Sequence, residues 1–181
     1  MTVDDNLRYR KRLIRLLQGA YSGELAAAYA YRGHWKSVKN PQEKEAIRKI
    51  EEEEWHHRRL VKDMLLHFNA NPLRRLEVLL FTIGRTLGFF CFLSGWFLPM
   101  FFAGRLETQN VNEYEQAADY AEKLKLQEMA ASLRCMAEVE LQHEEYFYEV
   151  IKGHWLLPWM KKLFQVKPYY LQSVTDASSQ E

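Results

Sequence analysis

An all-α bundle of four long helices with a long crossover is predicted by three features of this 181-residue sequence. Apolar residues recur at three- and four-residue spacing from Leu13 onward. No stretch alternates apolar and polar residues as a half-buried strand would. Proline is absent before Pro41 and glycine is sparse, so little interrupts the helical pattern. A chain of this length with 48% hydrophobic residues can bury a core without disulfide staples. A single domain over residues 1–172 is expected.

The first helix is predicted from Asp5 to Ser37, with an inward stripe of Leu13, Leu17, Ala20, Tyr21, Glu24, Ala27, Ala28, Tyr31 and Trp35. "VKNPQEK" ends it, Asn40 and Pro41 being the stop and restart signals, and a second helix follows from Gln42 to Phe68. "NANP" breaks that helix. An apolar region from Val78 to Gly104 leads into a third main helix that ends near Glu122, and the fourth spans Leu126 to Gly153. "HWLLPWMKKLF" reads as a short C-terminal amphipathic helix, and residues 173–181, "SVTDASSQE", as a disordered tail. Two helical hairpins separated by roughly thirty residues describe a ferritin-like four-helix bundle, in which the long connection returns the chain along the bundle.

A formal charge of +1, from 25 basic and 24 acidic residues, lacks the basic bias of a nucleic-acid-binding protein. Two cysteines, Cys91 and Cys135, form neither a disulfide framework nor a zinc-ligand spacing. The opening "MTVDDNLRYRKRL" has no apolar signal region, and a cytoplasmic location is expected.

The chemistry lies in carboxylates placed on apolar stripes. Glu24 sits in the middle of the first stripe, where an unpaired carboxylate is expensive to bury. In the second helix, "IEEEEWHHRRL" allows two Glu-x-x-His pairs. At 100° per residue, Glu54 and His57 fall within about 45° of the mean apolar direction, while His56 lies beyond about 90°. Glu51, Glu52, Glu53 and His56 are then expected at the surface, with Trp55 over an outer seam. In the fourth helix Glu140 and His143 face inward together, and Glu138, Glu144, Glu145 and Glu149 are expected to project elsewhere. The third stripe, from Phe97 to Ala118, carries Glu107 at a core position. Each helix thus supplies one inward carboxylate, and the second and fourth each add a histidine three residues on. That is the ligand set of a dinuclear iron or manganese carboxylate site. The two hairpins also agree in spacing, thirty residues from Glu24 to Glu54 and thirty-three from Glu107 to Glu140. The competing reading is four buried carboxylates, each satisfied by its own hydrogen bonds.

With those residues placed, the chain resembles the ferritin-like di-iron superfamily and, within it, the demethoxyubiquinone hydroxylase family. The similarity runs from about Leu17 to Ile151 through "GE" at Gly23 and Glu24, "EWHH" at Glu54 to His57, "MLLHFNANP" and "ELQHEE". It implies hydroxylation of a hydrophobic, quinone-like substrate by dioxygen at a centre of two iron ions per chain, with electrons from an external donor. Where the family commonly has His-His-Tyr after the third-helix glutamate, this chain has Asn112, Glu113 and Tyr114. Tyr114 is kept, and the resemblance implies a catalytic part for it as a hydrogen-bonding or electron-relay group. A rubrerythrin-like peroxidase or ferroxidase, or a ferritin-like iron-binding protein, remains the alternative. From Leu87 to Gly104 eighteen residues carry no charge, the lower limit for a membrane span, but Gly88, Ser94, Gly95 and Pro99 interrupt the run. Core packing, a homodimer seam and a peripheral membrane face are the three readings it leaves.

Overall fold

The computed structural model describes residues 3–165. Six helices form among them: α1 (Val3–Ser37), α2 (Pro41–His67), α3 (Arg74–Phe90), α4 (Phe97–Lys123), α5 (Gln127–Ile151) and α6 (Leu157–Phe164). The expected tail at 173–181 and the end of the expected domain at residue 172 lie outside the described residues. Asn40 caps α2, its side chain accepting a 2.9 Å hydrogen bond from the Gln42 amide, and Pro41 takes the first helical position, where no amide hydrogen is needed. Left-handed non-glycine residues close three helices, Asn69 after α2 (φ 52°), Lys125 after α4 (φ 61°) and Gln165 after α6 (φ 50°).

α1 and α2 form one antiparallel hairpin and α4 and α5 the other. Arg10 near the start of α1 donates 3.0 Å to the carbonyl of Phe68 at the end of α2, which fixes the first pairing. α2 and α4 run in the same direction, so the chain must be carried back between them. α3 does this, lying along α1. The two helices touch at backbone distance: a Cβ on Gly84 would stand 2.3 Å from the Ala26 carbonyl oxygen, and one on Gly33 2.3 Å from the Gly88 Cα. Only glycine fits there.

The uncharged run from Leu87 to Gly104 is not one element. α3 ends at Phe90, the chain turns through residues 91–96 with Gly95 at φ +76°, and α4 begins at Phe97. Pro99 then falls in the first turn of α4, where its missing amide hydrogen costs nothing. No described helix is long and apolar enough to cross a membrane.

Two apolar clusters fill the bundle. One, toward the start of α1, contains Leu13, Leu17, Val61, Leu65, Ala118 and Leu133. The other, toward the start of α4, contains Ile47, Ile50, Met100, Phe101, Phe147 and Ile151. At about 1.5–3 kcal/mol for each large side chain buried, these clusters hold the four helices in register. Between them lies a polar layer.

Candidate metal centre

The layer is built from all four bundle helices. α1 contributes Glu24, α2 Glu54 and His57, α4 Glu107, and α5 Glu140 and His143, each no more than 4% exposed. Their donor atoms form two groups, Glu24–Glu54–His57–Glu140 and Glu54–Glu107–Glu140–His143, within each of which all lie within 4.8 Å of one another. Glu54 and Glu140 belong to both groups. Each group therefore has one glutamate and one histidine of its own and shares a central pair of carboxylates, a plan suited to two adjacent cations. The structure brings together all six residues singled out in the sequence.

Hydrogen bonds fix the side chains of the layer. His57 Nδ1 is 2.8 Å from Glu140 Oε1, and His143 Nδ1 is 3.2 Å from Glu140 Oε2. Tyr31 donates to Glu107, Asn110 donates 2.9 Å to the other Glu107 oxygen, and Tyr114 donates to Glu24. Burial works to raise the Glu140 carboxyl, but hydrogen bonds and charge from the two histidines hold it down at about 2. Burial likewise opposes charge on His143, yet Glu140 and Glu53 lift it to about 10. The other carboxyls go the opposite way. Burial raises Glu24, and with Glu140 nearby it raises Glu54 and Glu107 well above the usual range. Burial, reinforced by the adjoining carboxylates, keeps the Tyr31 and Tyr114 phenols protonated, so both remain donors.

Three carboxylate oxygens, Glu24 Oε2 and both of Glu54, receive no hydrogen bond from any amide, hydroxyl or ring N–H, and without a cation these two carboxyls have only a proton shared between them. His143 Nδ1 stands 3.6 Å from Glu54 Oε1, beyond hydrogen-bond reach. Fully buried carboxyl oxygens left bare cost about 1–3 kcal/mol each. This argues against four separately satisfied carboxylates. A hard cation pair fits: the donors are carboxylate oxygens and imidazole nitrogens, the set preferred by iron and manganese.

Three glutamates differ from the expectation of surface placement. Glu53 is half-buried and accepts 2.8 Å from His143 Nε2, because α5 brings that imidazole across to it. With Nε2 so engaged, Nδ1 of His143 is the nitrogen that faces the cluster. Glu51 is buried and accepts from Arg32 (2.8 Å), Trp35 (2.7 Å) and Trp55 (3.1 Å), whose side chains close over it from α1 and α2. Glu144 is 2% exposed and accepts from Thr108, since α4 packs closely on α5 there. In each case at least one partner comes from another helix, which the helical angle of one segment does not reveal. His56 and Glu52 are exposed as expected.

An apolar cavity of about 320 Å³ adjoins the layer, bordered by Glu107, Tyr31 and Asn110 on one side and by Leu87, Phe90, Leu98, Phe102 and Leu106 on others. The helices, the buried carboxylate and histidine layer and the chamber beside it define a four-helix bundle whose core could hold a pair of metal ions. The chain belongs to the COQ7 family of ubiquinone biosynthesis proteins, whose family model matches residues 10–151, most of its length. That is a family of hydroxylases, and the chain is an oxidoreductase of that kind. No curated protein and no solved structure is a significant match.

Because Glu54 is fully buried and no amide, hydroxyl or ring N–H donates to it, Glu54→Met should make the protein more stable in the presence of a chelator, by about 1–3 kcal/mol in urea unfolding. Lower stability of this variant in chelator would show that the carboxyl already has partners.

Proposed function

We propose that the chain hydroxylates a lipophilic, quinone-like ring with dioxygen at a centre of two iron ions held by Glu24, Glu54, His57, Glu107, Glu140 and His143. The observation that carries this reading is the apolar cavity ending on Glu107. A peroxidase or ferroxidase would use the same ligands but has no need of an organic chamber.

Iron held by these residues would supply the activation of dioxygen for transfer of one oxygen atom to carbon. The second oxygen atom leaves as water, so an external donor must provide a pair of electrons, and solvent a pair of protons. The protein's own part is orientation. Tyr31 and Asn110 hold both oxygens of Glu107 at the chamber side. Tyr114, behind Glu24, acts as a positioning residue: its hydroxyl restrains one oxygen of that carboxylate and leaves the other bare. Phe90, Leu98 and Phe102 line the chamber with apolar surface suited to a ring rather than to water.

The outer surface next to the chamber suits a lipid-borne substrate. Phe89 is 61% exposed and Leu93 66%, while Trp155 just before α6 and Trp159 and Leu163 on it are each more than 70% exposed. α6 docks beside the start of α4, with Phe164 and Phe102 ring centroids 5.2 Å apart, so these residues flank one end of the bundle. With Lys161 and Lys162 alongside, this end is suited to lie peripherally on an anionic bilayer, from which the substrate would enter.

The direct assay is oxygen uptake by iron-loaded, chemically reduced protein with and without a short-tailed benzoquinone. Uptake should rise with the quinone and yield a product heavier by one oxygen atom. Glu54→Ala with Glu140→Ala should abolish it, and Tyr114→Phe should keep the iron while slowing turnover by about 10–100-fold. Uptake indifferent to every lipophilic additive would favour the peroxidase or ferroxidase reading. For the membrane face, the protein should float with anionic liposomes and Trp159→Glu with Leu163→Glu should sediment. A homodimer that covers this face and ignores liposomes would refute the placement.

A further inference from the structure

The polar side chains bordering the chamber are few, and nearly all are engaged. Tyr31 and Asn110 are bonded to Glu107, the Ser94 hydroxyl donates 2.9 Å to the Phe90 carbonyl, and the Cys91 thiol lies 3.3 Å from the Leu87 carbonyl. His34 is the exception. It borders the chamber, is 3% exposed, and its Nε2 is buried without any hydrogen-bond partner.

An imidazole nitrogen left bare in an apolar setting is destabilising by the same logic that makes a bare carboxylate so. Nothing in the packing demands an imidazole here. The ring stacks with Phe147 (centroids 6.1 Å apart, 13° between planes) and Tyr31 (6.5 Å, 23°), contacts that a phenylalanine would make as well. Burial also pushes its pKa down to about 4, so the ring is neutral near pH 7 and able to make an uncharged hydrogen bond. His34 lies one helical turn from Tyr31, and Tyr31 reaches Glu107. A flat ring lodged in the chamber would thus meet the metal layer through the Glu107 side and a single open polar group at His34.

We propose that His34 is the specificity-determining contact for the substrate ring, its Nε2 hydrogen-bonding a hydroxyl or carbonyl oxygen carried by that ring. The assignment rests on reading the cavity as the lipophilic-substrate chamber. It adds that the ligand must carry a ring oxygen on the side away from the reacting carbon. In mostly apolar pockets a small number of such groups sets orientation, and an apolar analogue lacking the oxygen would leave Nε2 bare.

The test is a binding measurement on full-length, iron-loaded protein under argon, so that no turnover intervenes. The probes are para-pentylphenol and pentylbenzene, equal in tail and ring but differing in one ring oxygen. Wild-type protein should bind the phenol more tightly. His34→Phe, which preserves the ring stack, should weaken the phenol by about tenfold and leave pentylbenzene unchanged, the size of one hydrogen bond to an otherwise unpartnered group. His34→Gln, polar but not aromatic, should retain most of the preference, which a purely structural role would not predict. If the ratio of the two affinities is the same in wild type and His34→Phe, as it would be for a phenol bound at the iron, the assignment of His34 is overturned while the chamber stands. If wild-type protein binds neither probe, the chamber reading fails and the assignment of His34 with it.

Discussion

Six ionisable side chains are buried in one layer midway along the bundle, and their electrostatics constrain everything around them. A carboxylate moved out of water is tolerated only with a proton, a hydrogen-bonded partner or a cation to balance it. Glu140 has two imidazoles and is held low; Glu54 has bare oxygens and is pushed high. The layer without cations is therefore an arrangement in which protons and histidine charges balance the carboxylates. Two cations would replace those protons and give the bare oxygens of Glu24 and Glu54 their partners.

The rest of the fold serves that layer. Apolar clusters on either side supply the stability that the layer itself does not, and they hold α1, α2, α4 and α5 at fixed heights. Side chains from different helices, Tyr31, Asn110, Tyr114 and Glu53, then orient the candidate ligands. The crossover helix α3 does two jobs. Its glycine seam against α1 lets it return the chain in the narrow space available, and its end, with the first turns of α4, walls the chamber beside Glu107.

Much of this could be read from the sequence because it is periodic. A glutamate recurring on each apolar stripe, with histidine three residues later on two of them, is a one-dimensional signal, and it led to all six residues of the layer. Helix limits were equally legible at Asn40–Pro41 and Asn69, where capping and left-handed residues carry their own chemistry. What escaped was contact between helices. Glu53 looks like surface charge until α5 sets His143 2.8 Å from it, and Glu144 until Thr108 donates to it. His34 had no visible role as a residue between a stripe tyrosine and a helix end. Its meaning comes from a chamber whose far walls lie more than fifty residues away in sequence, on α3 and α4.

The central claim is that cations complete the buried carboxylate layer. Its most direct measurement is an anaerobic titration of metal-free protein with Fe²⁺, followed together by bound iron and by the thermal unfolding midpoint. Binding should saturate at about two ions per chain, and the midpoint should climb until that point, since a ligand that binds only the folded state stabilises it. Failure to retain iron, or an unfolding midpoint unmoved by bound iron, would contradict the account.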